Sequence, residues 1–351
     1  MKFHTTAGAL SSACTAAELA ARTSAGNVAT IKAENGRIIV VGSDGEISTS
    51  ALVAGEVLSG GTVAVPAKPI ATYCSTLVSA TRIDVAADGG ELVITAGTRE
   101  YRFPCFDERP AVLEAPFEDA THIFASGVDE LLATVRHAVD TRTQLVKLSG
   151  SDGVMRMYAT DTYRLCVAET ATGSYEGDWS ILAPVQTLLV ALRHAPESLR
   201  IDQRGRLASF SNDTVETTVR LSVANFPAVE PVLQTSPANQ LTLDAAATIT
   251  ALNRLNCVAG NEPIRVAITS DSATLSVASG SGRGSELLPV QAATPASFGV
   301  TAKYLHDAIT ACKTKTITVA YGSSSSPIHV KSTDIKHPVT CVIMPAVWDQ
   351  R

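Results

Sequence analysis

Charged and aromatic residues are scarce in this chain of 351 residues, at 18% and 5% of the total. The formal net charge of −6 excludes a surface coated with cations for tight phosphate binding, although a local basic stripe fits within an acidic whole. No apolar run reaches the ~20 residues of a membrane span, and the first residues lack a signal-peptide pattern. These absences predict a cytoplasmic protein with no membrane contact.

The cysteines form no C-x-x-C pair, are odd in number and lie far apart along the chain. This pattern predicts neither a disulfide framework nor a zinc site. We therefore expect no metal and no cofactor, and interpret the thiols as small core residues. The seven positions are Cys14, Cys74, Cys105, Cys166, Cys257, Cys312 and Cys341.

What the chain does contain is an internal repeat. The apolar content of 45% indicates well-packed cores, and the length predicts two or three domains. The tripeptide Pro-Ala-Val begins at Pro110, Pro227 and Pro345, with spacings of 117 and 118 residues. Such a regular period indicates one structural unit in three copies.

Each copy has the same order of predicted elements. A helix start is predicted at Pro66, Pro184 and Thr301, and each is followed by apolar residues at i, i+3/4 and i+7. Alternating strands then follow, at 82–85, 92–95 and 101–103, at 199–202, 207–211 and 219–223, and at 316–319, 328–331 and 340–343. An earlier helix is predicted in each copy, at 7–22, 128–141 and 245–257.

The fold class that follows is α+β, with two helices packed on antiparallel sheets in each unit. Hairpin turns are predicted at Asn35-Gly36, Asp88-Gly89 and Asp152-Gly153, because tight hairpins need a positive φ there. The predicted domains are residues 1–118 (N-terminal), 119–235 (middle) and 236–351 (C-terminal).

Four segments resemble the DNA polymerase III beta subunit family, the bacterial sliding clamps. Tyr158–Val167 resembles the family's Ala-Thr-Asp-Gly-His-Arg-Leu segment, and Asn225–Leu233 its Arg-Phe-Pro and Val-Leu-Pro segment. Val300–Ala308 resembles the last helix start, and Val342–Pro345 the C-terminal Val-Val-Met-Pro. The resemblance implies a head-to-tail homodimeric ring of three clamp domains per chain. It implies a processivity factor that encircles duplex DNA and tethers polymerase and clamp loader, with no enzymatic activity.

The chain departs from the family pattern in three places. Thr162-Tyr163 replaces the usual Gly-His, Pro231 stands where an arginine is common, and 347–351 extends past the usual end. These departures indicate a divergent clamp, phage-encoded or a paralogue. Two alternatives stay open: a decoy or inhibitor-resistance paralogue that only binds partner peptides, and a repeat-built enzyme or receptor with a ligand between its domains.

The resemblance assigns helix-borne cations to sequence-independent contacts with DNA phosphates, because a sliding ring cannot hold base-specific contacts. Acidic residues on the same helices leave ordinary solvated faces as the alternative interpretation. The predicted DNA-binding residues are Arg22, Lys68, Arg136, Arg142, Lys147, Arg193, Arg254 and Lys303.

A second predicted site is an apolar cleft that captures short hydrophobic peptide motifs of polymerase and clamp loader, also implied by the resemblance. For Leu165, Val342 and Ile343, plain strand core is the competing interpretation. The predicted pocket comprises Leu148, Thr160, Thr162, Tyr163, Arg164, Leu165, Pro227, Val232, Tyr304, Val342, Ile343, Met344 and Pro345.

No catalytic constellation emerges from the sequence. The glycine-rich stretch 280–285 lies between two predicted strands, so it predicts a hairpin loop and not a phosphate loop. Asp44 with Glu46 is interpreted as a structural turn, because Asp161 stands one repeat later. No nucleophile elbow or H-E-x-x-H motif occurs. The catalytic prediction is therefore none.

Overall fold

The computed structural model describes residues 1–21, 28–109, 111–113, 117, 121–171, 177–202, 204–235, 237–260, 262–290, 293–334 and 337–347. Its contacts divide the chain into two compact units. Unit 1 comprises Met1–Ser126 and Ala183–Val223, and unit 2 comprises Gly127–Leu182 and Ala224–Arg351. The three predicted domain boundaries stay a prediction.

Seven α-helices occur in the part of the chain that is described. They are α1 (Ala7–Ala20), α2 (Ala67–Ser75), α3 (Val128–Val135), α4 (Val185–Ala191), α5 (Glu230–Leu233), α6 (Ala245–Ala259) and α7 (Ala302–Cys312), with short 3-10 turns at Arg136–Ala138 and Leu192–His194. None of these described helices is long and apolar enough to cross a membrane.

Unit 1 contains two sheets. The five-stranded sheet has the order β5-β1-β7-β8-β9, and the eight-stranded sheet has the order β10-β15-β16-β17-β4-β3-β2-β6. Their bounds are β1 (Lys2–Thr6), β2 (Val28–Glu34), β3 (Arg37–Ser43), β4 (Ile47–Val53), β5 (Gly55–Ser59), β6 (Gly61–Pro66), β7 (Arg82–Asp88), β8 (Glu91–Ala96), β9 (Arg99–Pro104), β10 (Thr121–Phe124), β15 (Ser198–Ile201), β16 (Leu207–Ser211) and β17 (Val215–Arg220).

The core of unit 1 forms where the alanine-rich helix α1 lies on α2 and on strands of both sheets. Thr6 caps α1, since its hydroxyl accepts a hydrogen bond from the backbone N of Ala9. Gly42 is required on β3, because a Cβ there would lie 1.9 Å from the carbonyl oxygen of Ala17. Small residues thus let helix and strand approach closely, around fully buried side chains such as Phe3 and Leu10.

Unit 2 also contains two sheets. The eight-stranded sheet has the order β14-β11-β12-β13-β25-β24-β23-β18, and the four-stranded sheet has the order β21-β20-β19-β22. Their bounds are β11 (Leu145–Ser151), β12 (Val154–Thr160), β13 (Arg164–Ala171), β14 (Trp179–Pro184), β18 (Asn239–Asp244), β19 (Pro263–Ile268), β20 (Ser272–Ser279), β21 (Gly282–Pro289), β22 (Ala296–Thr301), β23 (Thr316–Tyr321), β24 (Ile328–Ser332) and β25 (Val339–Ile343).

The eight-stranded sheet of unit 2 has two distinct faces, because side chains alternate along each strand. Cross-strand register places Tyr158, Val167 and Leu165 on one face with Val342. The opposite face carries Met157, Cys166, Ala168 and Cys341, all buried, and it packs against α3 and α7. We call these the open face and the helix-bearing face.

Most predicted elements are confirmed. The α+β class holds, and Pro66, Pro184 and Thr301 are the N-caps of α2, α4 and α7. The glycine-rich stretch after 279 is a hairpin, in which Ser279 pairs with Gly282. Positive φ values at Asn35-Gly36 and Asp152-Gly153 confirm two turns.

Several predictions were wrong in detail. The strand predicted at 219–223 runs from Val215 to Arg220, because buried Thr217 and Thr218 carry no apolar pattern. The helix predicted at 128–141 ends at Val135 and continues as a 3-10 turn. The positive φ values near 88–89 fall on Gly89-Gly90. Cys257 is exposed and is not a core residue. Pro110, where one repeat begins, lies outside the described residues.

Candidate functional site

The turn between β12 and β13 is held by the side chain of Asp161. Its Oδ1 accepts hydrogen bonds from the backbone N of Tyr163 at 3.0 Å and of Arg164 at 2.9 Å. The hydroxyl of Thr160 donates to the carbonyl of Arg164 at 2.8 Å. Thr162 takes a φ of 76°, which β-branched residues rarely adopt. This turn leaves Tyr163 65% exposed.

Arg164 joins this turn to helix α7. Its Nε lies 2.9 Å from Asp161 Oδ2, and a terminal nitrogen lies 2.7 Å from Asp307 Oδ2. The central carbon of the guanidinium lies 4.3 Å from the centre of the Tyr304 ring, a cation–π geometry. Burial alone would raise the pKa of Asp307, but hydrogen bonds from Lys303 and Arg164 outweigh it and lower that pKa.

A separate apolar cluster lies on the open face of the sheet. It consists of Leu165, Val167, Val229 and Val342, and partly buried Tyr158, Phe226, Val232 and Leu233 pack against it. Tyr158 and Phe226 meet edge to face, with ring centres 6.5 Å apart. We refer to the four buried residues as the apolar cluster. Helix α5 supplies its outer wall, since Val232 and Leu233 lie on that helix.

Two exposed side chains extend this surface past the strand ends. The backbone N of Met344 donates to the carbonyl of Tyr163 at 2.8 Å, so the two residues stand opposite each other. Strand alternation places both on the open face, beside Leu165 and Val342. Met344 is 41% exposed. A continuous apolar strip therefore runs from the apolar cluster to solvent.

One cation and one acid border the strip. The ammonium of Lys147 lies 3.6 Å from a carboxylate oxygen of Glu230 and 5.3 Å from the centre of the Tyr158 ring. The pKa of Glu230 is lowered, mainly by a backbone hydrogen bond at the start of α5 and then by Lys147. Such a surface offers apolar burial with a charged border, which suits a short amphipathic peptide.

All thirteen residues predicted for the cleft lie in unit 2, but on two faces. On the open face the structure brings together Leu165, Val342 and Val232, and it adds Thr160, Tyr163 and Met344 at the strand ends. Arg164 and Tyr304 contact each other near α7. Thr162 and Pro227 are exposed, and Pro345 is half-buried.

Leu148 and Ile343 are not brought into the apolar strip. Each is 1% exposed, and their register partners, Met157 for Leu148 and Arg164 for Ile343, place them on the helix-bearing face. The competing interpretation as strand core therefore describes Ile343, and it extends to Leu148; Leu165 and Val342 are also buried, at 5% and 1% exposed, but they lie on the open face.

Sequence reasoning missed five residues of this surface: Val167, Val229, Tyr158, Phe226 and Leu233. Part of the signal was present. Tyr158 and Val167 flank the motif that carried the resemblance, and Phe226 directly precedes Pro227. The pairing of β13 with β25 decides which residues share a face, and this pairing cannot be recognised from the sequence.

Comparison with known proteins gives a consistent result. No family model matches the chain. A beta sliding clamp homolog, GriR, of Streptomyces muensis is 24% identical over 244 residues, which are 65% of this chain and 64% of that protein. The beta sliding clamp of Streptomyces coelicolor is 24% identical over 253 residues, or 67% of each chain. The matched stretch thus spans about two thirds of these relatives.

Solved structures match over nearly the whole chain. The DNA polymerase sliding clamp of Pseudomonas aeruginosa gives a TM-score of 0.90 at 18% identity, over 99% of this chain and 100% of that one. The DNA polymerase III beta subunit of Thermotoga maritima gives 0.87 at 21% identity, with the same coverage. The chain has the sliding-clamp fold.

Within this clamp fold, three of the predicted DNA-binding residues are exposed and form no ion pair within the described part of the chain. They are Lys68 on α2, Arg136 in the 3-10 turn after α3, and Arg193 in the 3-10 turn after α4. Arg22 lies outside the described residues.

The other four predicted cations each face an acid. Arg142 lies 3.4 Å from Asp140, Arg254 lies 2.6 Å from Glu286, and Lys303 lies 2.9 Å from Asp307. Lys147 borders the apolar strip, as described above. A carboxylate neighbour reduces the attraction of a cation for phosphate. The clamp fold therefore presents Lys68, Arg136 and Arg193 as the stronger candidates for a phosphate contact.

Proposed function

We propose that this chain is a sliding clamp: two copies close head to tail into a ring around duplex DNA, and the ring tethers a replicative polymerase and other partners. The match of fold over 99% of the chain at a TM-score of 0.90 supports this most strongly. The proposed role is mechanical and not enzymatic, because a ring acts by holding its partners on DNA.

Ring closure would use exposed edge strands of the five-stranded and the four-stranded sheet. Strand β9 is the edge of the five-stranded sheet, and β21 is an edge of the four-stranded sheet. On β9, Tyr101 is 49% exposed and packs against Tyr73, with ring centres 4.0 Å apart. On β21, Leu287 is 68% exposed. Pairing β9 of one copy with β21 of the other protects both edges.

DNA binding in the proposed ring would be sequence-independent. Contacts to phosphate can be exchanged at each step along the duplex, whereas base contacts would have to be broken. Three exposed cations that form no ion pair among the described residues suit such weak attraction, and the net charge of −6 limits non-specific binding elsewhere.

Partner binding would use the apolar strip of unit 2. Polymerase and clamp loader peptides would place apolar side chains against the exposed Tyr163 and Met344, above the buried Leu165 and Val342. The buried apolar cluster beneath the strip provides a preformed surface, which lowers the ordering cost that a short peptide must offset. Met344 has a flexible side chain that can adapt to varied partners.

The second candidate is a paralogue that binds partner peptides or an inhibitor without a main role in replication. The observation that favours it is the turn: Thr162 holds a positive φ of 76°, where the usual glycine is unstrained, and Tyr163 is an exposed phenol in place of the usual histidine. Both changes lie at the end of the apolar strip, where they alter what can bind.

One experiment separates these candidates. The purified chain is loaded onto nicked circular DNA with a clamp loader, and retention is measured by gel filtration before and after the circle is linearised. A clamp stays on the circle and is lost from open ends, whatever the base sequence. A chain that binds polymerase peptides but never remains on closed circles would be the paralogue. Loss at the same rate from circle and line contradicts the ring.

A further inference from the structure

Two cysteines that lie 175 residues apart in sequence meet on the helix-bearing face of unit 2. Cys166 of β13 stands directly opposite Cys341 of β25. Met344 N donates to Tyr163 O, and Glu169 N donates to Pro338 O. Because hydrogen-bonded pairs alternate along an antiparallel ladder, these bonds make Cys166 and Cys341 a non-hydrogen-bonded pair, in which side chains approach most closely. Their sulfurs lie 3.0 Å apart.

A histidine completes the cluster. His137 lies in the 3-10 turn after α3, and its Nδ1 lies 2.9 Å from the carbonyl oxygen of Thr134. Since a carbonyl only accepts, Nδ1 carries the proton, and Nε2 offers its lone pair to the thiol of Cys341. One ring nitrogen and the sulfurs of Cys166 and Cys341 all lie within 4.8 Å of one another. A backbone carbonyl that fixes the tautomer is the usual support of a metal-binding histidine.

The two thiols of the cluster are buried, and His137 is half-buried. Cys166 and Cys341 are 0% and 2% exposed. The pKa of Cys341 is raised by its hydrogen bond with Cys166 and by burial, and contact with His137 opposes this rise. Cys312 at the end of α7 is close enough for the charge of Cys341 to act on it. Thiols with raised pKa values react slowly with oxidants.

A cavity reaches the same region from outside. Its volume is about 240 Å³, and its lining includes Thr134, Ala168, Cys312 and Val339. The carbonyl oxygen of Thr134 lies 2.9 Å from Nδ1 of His137, and the charge of Cys341 contributes to the raised pKa of Cys312. The cavity therefore ends among neighbours of the cluster, although none of the three proposed ligands lines it.

We propose that His137, Cys166 and Cys341 bind one thiophilic metal ion, with Zn²⁺ as the probe. Each thiol loses its proton to solvent as a sulfur–metal bond forms, so one Zn²⁺ enters and two protons leave, with no change in oxidation state. His137 adds its lone pair, and water would take the fourth position. A tetrahedral site with bonds of about 2.3 Å needs the sulfurs about 3.7 Å apart, a distance that small side-chain rotations supply.

This inference does not depend on the proposed clamp function. The proposed metal site and the apolar cluster lie on the same eight-stranded sheet, because the open face of β13 and β25 carries Leu165 and Val342. A bound ion would tie these two strands to the end of α3. Sequence spacing excluded a zinc site because the ligands come from three distant segments, which only the sheet topology joins.

The test uses the full-length chain, reduced and stripped of metal. Co²⁺ is titrated in, the sulfur-to-cobalt absorption is recorded, and Zn²⁺ then displaces it. We expect one equivalent per chain for the wild type, loss of the band in Cys166→Ser and in Cys341→Ser, and affinity at least about 10-fold lower in His137→Ala. Cys257→Ser, at an exposed thiol on α6, is the matched control and should bind like the wild type.

A second measurement guards against variants that fail to fold. In the wild type, Zn²⁺ should protect Cys166 and Cys341 from alkylation and raise the melting temperature, as read by peptide mass spectrometry and calorimetry. No stoichiometric binding in the wild type, or binding of wild-type affinity in Cys166→Ser and in His137→Ala, overturns the proposal. The mass of the protein as purified, before reduction, gives another test. A mass lower by two hydrogens, with a Cys166–Cys341 disulfide, also overturns the proposal, because a disulfide needs no histidine.

Discussion

At the scale of single residues, Arg164 connects more of the site than any residue of the apolar strip. Its guanidinium contacts Asp161, Asp307 and Tyr304, and its side chain is 11% exposed. Replacement by methionine leaves the half-buried carboxylate of Asp161 without its cation and leaves that of Asp307 with Lys303 alone. We expect Arg164→Met to lower the free energy of unfolding by about 2 kcal/mol, measured by urea denaturation.

The control for this prediction is Arg142→Met. Arg142 is 83% exposed and pairs with Asp140 in solvent, so its loss should leave the urea midpoint unchanged. The pH dependence of the free energy of unfolding tests whether Arg164 stabilises the fold through Asp307. The folded-state pKa of Asp307 lies below its ordinary 3.8, so its stabilisation is complete above that value and is lost as the pH falls through the folded pKa. The difference in the free energy of unfolding between wild type and Arg164→Met should become smaller in acid. A difference that does not change with pH contradicts the assignment of this stability to the pairing of Arg164 with Asp307.

At the scale of elements, helices were predicted better than strands. The starts of α2, α4 and α7 follow from Pro66, Pro184 and Thr301, because the apolar period that begins after each is local, although none of the three side chains makes a capping hydrogen bond. Strand β17 was misplaced, since its buried Thr217 meets Thr49 of β4 through a hydroxyl contact of 3.1 Å and carries no apolar signal. A polar pair satisfied across two distant strands cannot be recognised in either segment alone.

In the candidate site, too, the features that depend on local sequence were predicted and those that depend on long-range strand pairing were not. Local motifs located the turn at Thr160–Leu165 and the last strand, so Leu165, Val342 and Val232 of the surface were predicted, whereas Val167, Val229, Tyr158, Phe226 and Leu233 were not. The face that each residue occupies depends on pairing between β13 and β25, which separates Leu165 from Ile343. For the same reason Cys166, Cys341 and His137 were seen as unrelated.

The apolar strip across β13 and β25 gives a prediction at this scale. A peptide with glutamine followed by spaced leucine and phenylalanine should bind there, with affinity measured by fluorescence titration. Tyr163→Ala with Met344→Ala removes two exposed side chains and should weaken binding by about 10-fold or more. Adding Leu165→Ala should weaken it further. Leu58→Ala, 47% exposed on β5, is the control, and equal affinity in all variants would place the peptide elsewhere.

At the scale of the whole molecule, retention of the proposed ring on DNA should depend on charge as well as on ring closure. The chain is acidic overall, at −6, yet the proposed ring must hold a polyanion. The described acids already neutralise Arg142, Arg254 and Lys303. Retention on DNA should then depend on the few exposed cations that pair with no acid among the described residues. In a dimer each such residue acts twice, so a small set per chain is sufficient.

Reversing charge at Lys68, Arg136 and Arg193 together should therefore shorten retention on closed circular DNA. Removing one phosphate contact should reduce the slope of log affinity against log salt by about 0.9, and the effect should be the same for any base sequence. The matched control reverses Arg142 and Arg254, whose charges are already met by Asp140 and Glu286, and should change retention far less. Gel filtration of both variants first verifies that the dimer is intact. If retention falls as much in the control as in the triple variant, distributed net charge governs binding, and the three exposed cations have no special role.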